Sequence, residues 1–436
     1  MENIYLILPG CDDTNRGDQA LIWETVSVAR EAGYCGDYYM IAPAEKSRQS
    51  ESEGIHHTES ILPHPSIHFK NKNNIQYDRL LKIKWALVSV CDGVKAVALL
   101  WKPMRNIVKR FYPENVQSSI EVFERADAAF VKGGGFLHSY GGLVNTYANF
   151  YDLYHIILAL SMGKDVYVMP NSYGPFLSPG TGRMIRKVLS KCSFISVRES
   201  ISQKMLSDRL GIKAELFLDL AFYLEPCSKL DKAQADRLSM IPFERKCVAI
   251  TVRPYRFPGT SDPEQEYEDY KHAIKDFIVY LDRQGYYPVL VEHTFSLTEH
   301  EQDMSCIRDI AEMLGDSCGY TVYSDRSLDC RQLKYVYSKF EYILGTRFHS
   351  VIFSLAAGVP AIAVTYGGNK GQGIMKDMGL SEYALSIGEV DLKSLTTVFD
   401  RLVQDPDHVK KKIRTYLDSM NIRKEELIKM LKGTAL

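Results

Sequence analysis

The chain reads as an α/β protein made of two doubly wound, Rossmann-like domains facing each other across a central cleft. Three observations carry that reading. Apolar runs of strand length alternate with segments of helical periodicity along nearly the whole sequence. At 436 residues the chain is too long for one ordinary domain, and two are the natural division. Polar or glycine-rich clusters follow several apolar runs, and open parallel sheets build ligand sites at the carboxyl ends of their strands.

The elements follow in order. Ile4–Leu8 is an apolar strand. Gly17–Ala32 places Leu21, Ile22, Thr25, Val28 and Ala29 on one helical face. Tyr38–Ala42 and Ala128–Lys132 read as strands, the second ending in the glycine turn Gly133-Gly134-Gly135. A helix around Tyr147–Met162 leads to the strands Val166–Pro170 and Phe194–Val197, then to a helix over Glu199–Leu210. These make a first domain over 1–225, with an insertion over 65–115. A linker over 226–242 follows. The second domain, 243–395, alternates in the same way. Its strands are Val248–Val252, Pro288–Glu292, Gly319–Tyr323, Tyr342–Leu344 and Ala361–Val364. Helices over Glu266–Gln284, Asp303–Leu314 and Asp329–Lys339 separate them. Residues 396–436 are helical and basic.

Composition narrows the function. Hydrophobic residues make up 45% and charged residues 25%, as in globular proteins. The formal net charge of −1 gives no global electrostatic case for nucleic acid. The nine cysteines are scattered without C-x-x-C or ligand spacing, which reads as reduced thiols in the cytoplasm and no metal site. The start lacks the basic and apolar regions of a signal peptide. No run approaches the roughly 20 apolar residues needed to span a bilayer.

One segment departs from that balance. Residues 70–110 carry ten Lys and Arg against Asp78 and Asp92, with Trp85 and Trp101 bracketing a largely apolar stretch. Its periodicity predicts two amphipathic helices. Lysine stems covering apolar surface would account for it. So would contact with an anionic membrane surface, which clustered cations beside tryptophan suit.

The most informative stretch is Gly345-Thr-Arg-Phe-His-Ser through Gly358-Val359-Pro360. A strand runs into a glycine turn, and Arg347 and His349 stand where a helix begins. A fixed cation, a titratable imidazole and free backbone N–H groups there bind an anion and can hand it a proton. Gly345 and Ser350 belong to the same turn. The alternative is that Arg347 caps the helix and His349 is a core histidine. A second polar loop, Tyr366 to Gly371, follows the next strand.

With these motifs the chain resembles the polysaccharide pyruvyl transferases, in particular those of exopolysaccharides such as colanic acid. The likeness rests on Thr14–Ile22, Val131–Gly135, Ser196–Ser200 with Asp219–Phe222, and Thr346–Ser350 through Gly358–Pro360, then Tyr366 to Gly379. It spans nearly all the chain except the basic insertion. The resemblance implies a GT-B-like arrangement of the two domains. It also implies transfer of a carboxyethylidene (pyruvate ketal) group from phosphoenolpyruvate, the donor substrate, to two sugar hydroxyls, with no cofactor. The family's functional Arg and His map to Arg347 and His349, with Phe348 replacing the usual Leu. An Arg after the first strand of the second domain maps to Arg253, and a loop lysine to Lys370. The acceptor implied is a sugar or polyprenyl-diphosphate-linked oligosaccharide. That fits a cytoplasmic protein peripheral at the inner membrane face, docked through residues 70–110.

Acceptor contacts are expected from Asn15, Arg16 and Asp18 after the first strand, from Gly134 and Gly135, and from His138 and Asn171 beyond strand ends. Glu292 and His293 end a second-domain strand and face the same cleft. Asp18 is either a proton acceptor or the cap of the first helix. Arg198-Glu199 reads as an ion pair bracing the junction, and Asp219 as a turn or cap. Two rival functions stand beside this one. They are a nucleotide-sugar glycosyltransferase of the same fold and a non-catalytic carbohydrate- or anion-binding protein.

Overall fold

Two parallel sheets organise the computed structural model, which describes residues 3–63, 79–295, 301–367 and 370–434. The strands of the first are β1 (Ile4–Leu8), β2 (Asp37–Ile41), β3 (Ile55–Thr58), β4 (Ala128–Val131), β5 (Gly134–Ser139), β6 (Asp165–Phe176), β7 (Phe194–Val197) and β8 (Glu215–Leu216). Those of the second are β9 (Cys247–Thr251), β10 (Tyr287–Val291), β11 (Thr321–Tyr323), β12 (Tyr342–Gly345), β13 (Ala361–Thr365) and β14 (Ala384–Ser386).

The first sheet runs β3-β2-β1-β4-β6-β7-β8, with β5 paired to the carboxyl half of β6. The second runs β11-β10-β9-β12-β13-β14. Every residue of β1, β4, β9, β12 and β13 is buried. That is the signature of parallel strands covered on both faces. Each sheet reverses its strand order once, between β1 and β4 and between β9 and β12. Those reversals open crevices beyond the strand carboxyl ends, where ligands enter such sheets.

Between the sheets lies the helix Arg16–Glu31. Asn15 caps it, its Oδ1 accepting from Gly17 N at 3.1 Å and Asp18 N at 3.4 Å. The helix is buried almost all round, because it packs on its own sheet and on the helix Cys330–Tyr337 of the second domain. Cys330 N donates to Gln19 Oε1 at 2.9 Å across that contact. One apolar cluster therefore runs continuously from β1 to β13, and a second covers the far side of the first sheet. The last helix, Met420–Thr434, returns to the first domain, where Tyr34 donates to Leu431 O and Lys424 pairs with Glu31 at 2.8 Å.

The structure departs from the sequence reading in particular places. Gly134 and Gly135 do not form a turn but open β5. His138 and Asn171 accordingly lie within β5 and β6, not beyond strand ends. Residues 226–242 carry a helix, Lys232–Leu238, closed by a capping box from Asp231 and Gln234. In the basic insertion, residues 64–78 lie outside the described residues, including Lys70, Lys72 and Asp78. The described part is a long helix, Arg79–Leu100, and a short one, Lys102–Lys109. The short helix is amphipathic as expected. The long one is not, because apolar side chains occupy both its inner and its outer face.

Candidate active site

Two adjoining cavities lie between the sheets and share Gly135 and Tyr366. The inner one holds about 180 Å³ and draws on both domains: Asn15, Asp18, Lys132 and Arg198 from the first, His293, Arg347 and His349 from the second. Its cations and imidazoles stand one to four residues past the ends of β4, β7, β10 and β12. The topology thus turns five separate strand ends, with that of β1, into one wall.

Arg347 occupies the cap position of the helix Phe348–Ala356 but makes no side-chain cap bond. Its guanidinium is held from behind instead. Nε donates to Asp303 Oδ1 at 2.6 Å, and a terminal nitrogen donates to Glu301 O at 2.6 Å. Burial works against the charge, but Asp303 more than restores it and leaves the pKa of Arg347 raised. Asp303 also accepts from His293 N and Thr294 N at 3.0 and 2.9 Å, so one carboxylate fixes both the arginine and the end of β10. A buried pair of this kind sets orientation more than stability. Ser350 and Gly345 do not line the cavity. Ser350 Oγ bonds Thr251 Oγ1 at 2.7 Å and Arg347 O at 2.6 Å, tying the helix start to β9. A Cβ on Gly345 would lie 2.4 Å from Val351 Cγ2, so only glycine lets the strand turn into the helix there.

His349 sits in the first turn of that helix and packs against the first turn of the other domain's helix. A Cβ on Gly17 would fall 2.1 Å from His349 Nδ1. Two helix N-termini therefore converge on the cavity, and both favour an anion. His293 is fully buried, and its Nδ1 lies 3.2 Å from Tyr337 Oη. Its Nε2 has no hydrogen-bond partner among the described residues. Burial first, then the charges of His349 and Arg347, push its pKa well below the ordinary value. His293 stays neutral.

On the first-domain side, Lys132 pairs with Asp18 Oδ1 at 2.5 Å, and Asn15 Nδ2 donates to Asp18 Oδ2 at 2.7 Å. Burial alone would lower the Lys132 pKa, but Asp18 raises it above the ordinary value. Asp18 is thus a cavity carboxylate and not the helix cap, which is Asn15. Arg198 is anchored by Asp219, and its Nε donates to Ser172 Oγ at 2.7 Å. Its contact with Glu199 is looser, at 3.9 Å, so the main ion pair is with Asp219. Asp219 also accepts from Ala221 N, the turn role expected of it.

The outer cavity holds about 420 Å³ and is more aromatic. His138, Tyr140 and Ser172 face Arg253, Tyr255, Glu301 and Tyr366 across it. Arg253 lies over the Tyr366 ring at 4.2 Å, and the Tyr255 and Tyr366 rings are 5.2 Å apart. Arg253, expected beside Arg347, lines this outer chamber.

Other expected site residues lie elsewhere. Arg16 is buried as a strut, donating to Asp13 O and to Arg326 O of the second domain, both at 2.8 Å. Asn171 donates to Lys132 O at 2.8 Å and so supports the lysine's strand. Glu292 turns to Ser324 and Arg326. Gly134 and Gly135, by contrast, do line the inner cavity, and Gly135 the outer one as well. Lys370 begins a helix, but its side chain lies outside the described residues. Sequence reasoning missed Lys132, Arg198, Asp303, Glu301, Tyr140 and Tyr255 as site groups. Lys132 and Arg198 stood inside the quoted motifs, which was the available signal.

The comparisons with known proteins agree with this architecture. The polysaccharide pyruvyl transferase family profile matches residues 15–368. The amylovoran biosynthesis protein AmsJ of Erwinia amylovora is 27% identical over 293 residues. That match covers 63% of this chain and 65% of the relative's length. Among solved structures, the UDP-GlcNAc 2-epimerase of Neisseria meningitidis, bound to UDP-GlcNAc, superposes with a TM-score of 0.53 at 11% identity. The superposition covers 98% of this chain and 99% of that one. Anabaena HepE, in complex with UDP-glucose, gives 0.54 at 9% identity over 99% of both chains. These likenesses show a GT-B-like fold. By its family match, the chain belongs to the polysaccharide pyruvyl transferases.

Proposed function

We propose that the protein transfers a pyruvate ketal from phosphoenolpyruvate to two hydroxyls of a sugar in a bacterial surface polysaccharide or its lipid-linked precursor. The observation that carries this reading is the inner cavity. It is small, and Lys132, Arg198 and Arg347 point into it with Asp18, while the carboxylates that hold the two arginines, Asp219 and Asp303, stand behind the wall. A small donor carrying both phosphate and carboxylate fits that charge pattern. The outer cavity, aromatic and larger, takes the acceptor.

In this mechanism His349 donates a proton to the donor's methylene carbon, and C2 becomes electrophilic. One sugar hydroxyl bonds to C2, and the C2–O bond to phosphate breaks. Lys132, Arg198 and Arg347 stabilise the charge on the departing phosphate. The second hydroxyl closes the ketal at C2. Of the two hydroxyl protons released, Asp18 takes one, which balances the proton spent on the methyl group, and phosphate leaves with the other. His293 stays neutral, so His349 does not face a second imidazolium.

The nucleotide-sugar reading keeps two observations in its favour. Both solved neighbours named above hold UDP-sugars, and the Tyr255–Tyr366 pair offers an aromatic platform. Calorimetric titration separates the two. Phosphoenolpyruvate should bind saturably, and His349→Ala should keep that binding while transfer falls by about 10²–10⁴-fold. UDP-glucose binding without phosphoenolpyruvate binding would overturn the pyruvyl transferase reading. Equal loss of binding and turnover in His349→Ala would make His349 a binding residue and not the acid.

A further inference from the structure

Of the fifteen large hydrophobic side chains exposed among the described residues, nine fall between positions 80 and 111. Seven of them are Leu80, Ile83, Leu87, Val90, Val94, Val97 and Trp101, each at least half exposed. Their spacing alternates three and four residues, so they form one unbroken seam along the outer face of the helix Arg79–Leu100. At about 1.5 Å per residue the seam is roughly 30 Å long. Ile107 and the 71%-exposed Phe111 extend it past the short helix.

The inner face is occupied separately. Ser89, Ala96 and Leu99 are buried, and Tyr154 of the helix Gly142–Ser161 donates to Ala96 O at 3.1 Å. Arg105 bonds Leu99 O and Ser161 O, fixing the second helix to the same support. The seam is therefore held rigidly outward, on a helix bolted to the domain. A surface of this size and continuity on a globular protein marks an interaction site.

Charge selects the occupant. Lys84, Lys95, Lys102 and Arg110 are exposed beside the seam, and Asp92 is the one acidic residue between positions 80 and 111. Arg105 is buried, and Lys109 is already paired with Glu121 and Glu124, so neither contributes. A second copy would bring the same cations against these, without the alternating acidic residues that a helical pair uses. An anionic bilayer offers both an apolar layer for the seam and phosphate groups for the flanking cations. No helix among the described residues is long and apolar enough to cross a membrane, so the contact is one of lying in the interface.

We propose that residues 80–111 form a docking face that lays the protein on an anionic lipid bilayer. This inference stands independently of the reaction assigned to the cleft. Its geometric consequence concerns the outer cavity. The supporting helix Gly142–Ser161 starts directly after β5 and Tyr140, which line that cavity, and it packs against the inner face of the helix that carries the seam. Docking thus ties the orientation of the outer cavity to the membrane surface.

Flotation of the full-length protein tests this, with vesicles of phosphatidylcholine alone and with phosphatidylglycerol added. Binding is expected with the anionic vesicles and at least tenfold weaker with the neutral ones. The charge reversals Lys84→Glu and Lys95→Glu together should weaken it by about 25-fold or more, at roughly fivefold per basic side chain. Val90→Glu with Val94→Glu should abolish it while leaving the melting curve unchanged, since both valines are exposed. Light scattering on the same samples should report a monomer throughout. Failure of the wild type to bind anionic vesicles overturns the proposal. So does a wild-type dimer that the valine variant converts to monomer, which would assign the seam to a second copy.

Discussion

The two cavities of the cleft are built on opposite plans. In the inner one the working groups are buried cations, each fixed by its own carboxylate: Lys132 by Asp18, Arg198 by Asp219, Arg347 by Asp303. In the outer one the walls are rings, and Arg253 is steadied by lying over Tyr366. The difference has a physical reading. A site that must stabilise a charge appearing in a transition state gains most from preorganised, dehydrated dipoles and ions. A site that must hold a sugar face needs shape, aromatic area and a few polar groups, and tolerates change. On this comparison the proposed function assigns the chemistry to the inner cavity and the choice of acceptor to the outer one.

The largest effect should come from breaking the inner plan. Lys132→Met should reduce turnover by about 10²–10³-fold with every acceptor, the loss expected for one group that stabilises developing charge. Steady-state kinetics with two different acceptors checks it. A loss confined to one acceptor would mean that Lys132 belongs to acceptor recognition and that the two plans are not separate. Asp18→Asn keeps the shape but removes the single carboxylate of the lining, so donor affinity should hold while turnover drops.

A smaller effect is expected outside. Tyr255→Ala removes one ring of the outer wall and should raise the acceptor KM about tenfold, since such ring contacts are worth about 1–1.5 kcal/mol. Donor affinity by calorimetry should stay within twofold. Equal weakening of donor and acceptor would show that the donor extends into the outer chamber, where Arg253 stands.

The two plans were unequally legible in the sequence. Most strands of both sheets stand out because buried parallel strands are uninterrupted apolar runs, as in Ile4–Leu8 and Ala361–Thr365. β3, β5, β8 and β14 do not, and β5 is hidden because it opens on Gly134 and Gly135, which read as a turn. β8 has two residues, β14 has three, and β3 is Ile-His-His-Thr, whose polar centre hides the pattern. Arg347 and His349 are visible as a motif at a strand end. Their support is not, because Asp303 lies 44 residues away and stands at a helix start, where an aspartate needs no special explanation. The outer wall is the least legible part, since Tyr140, Tyr255 and Tyr366 are tyrosines among 27 and only the fold brings them together. The long helix of the insertion misled for a related reason. Periodicity detects one apolar face, and here a second, exposed one is superimposed on it.

The smallest effect concerns protons, and it tests whether the inner cavity excludes charge as its construction implies. His293 is neutral in the folded protein and takes a proton when unfolded, so its stabilising contribution is present above about pH 6.5 and lost as pH falls below it. His155 supplies a reference outside both cavities. It is buried on the helix Gly142–Ser161, accepts from Ile61 N at 3.2 Å, and burial lowers its pKa to about 3. Between pH 6.5 and 4.5 that group alone should cost about 2 kcal/mol of stability. Denaturant titrations at the two pH values should find that cost removed in His155→Gln and a separate share removed in His293→Gln. Saturating phosphoenolpyruvate should shrink the His293 share, because a bound anion favours the imidazolium, and should leave the His155 share intact. A wild-type slope matched by His293→Gln, with or without donor, would mean that His293 gains a proton without penalty inside the cavity. The inner site would then tolerate a second imidazolium, and the assignment of its one labile proton to His349 would fail.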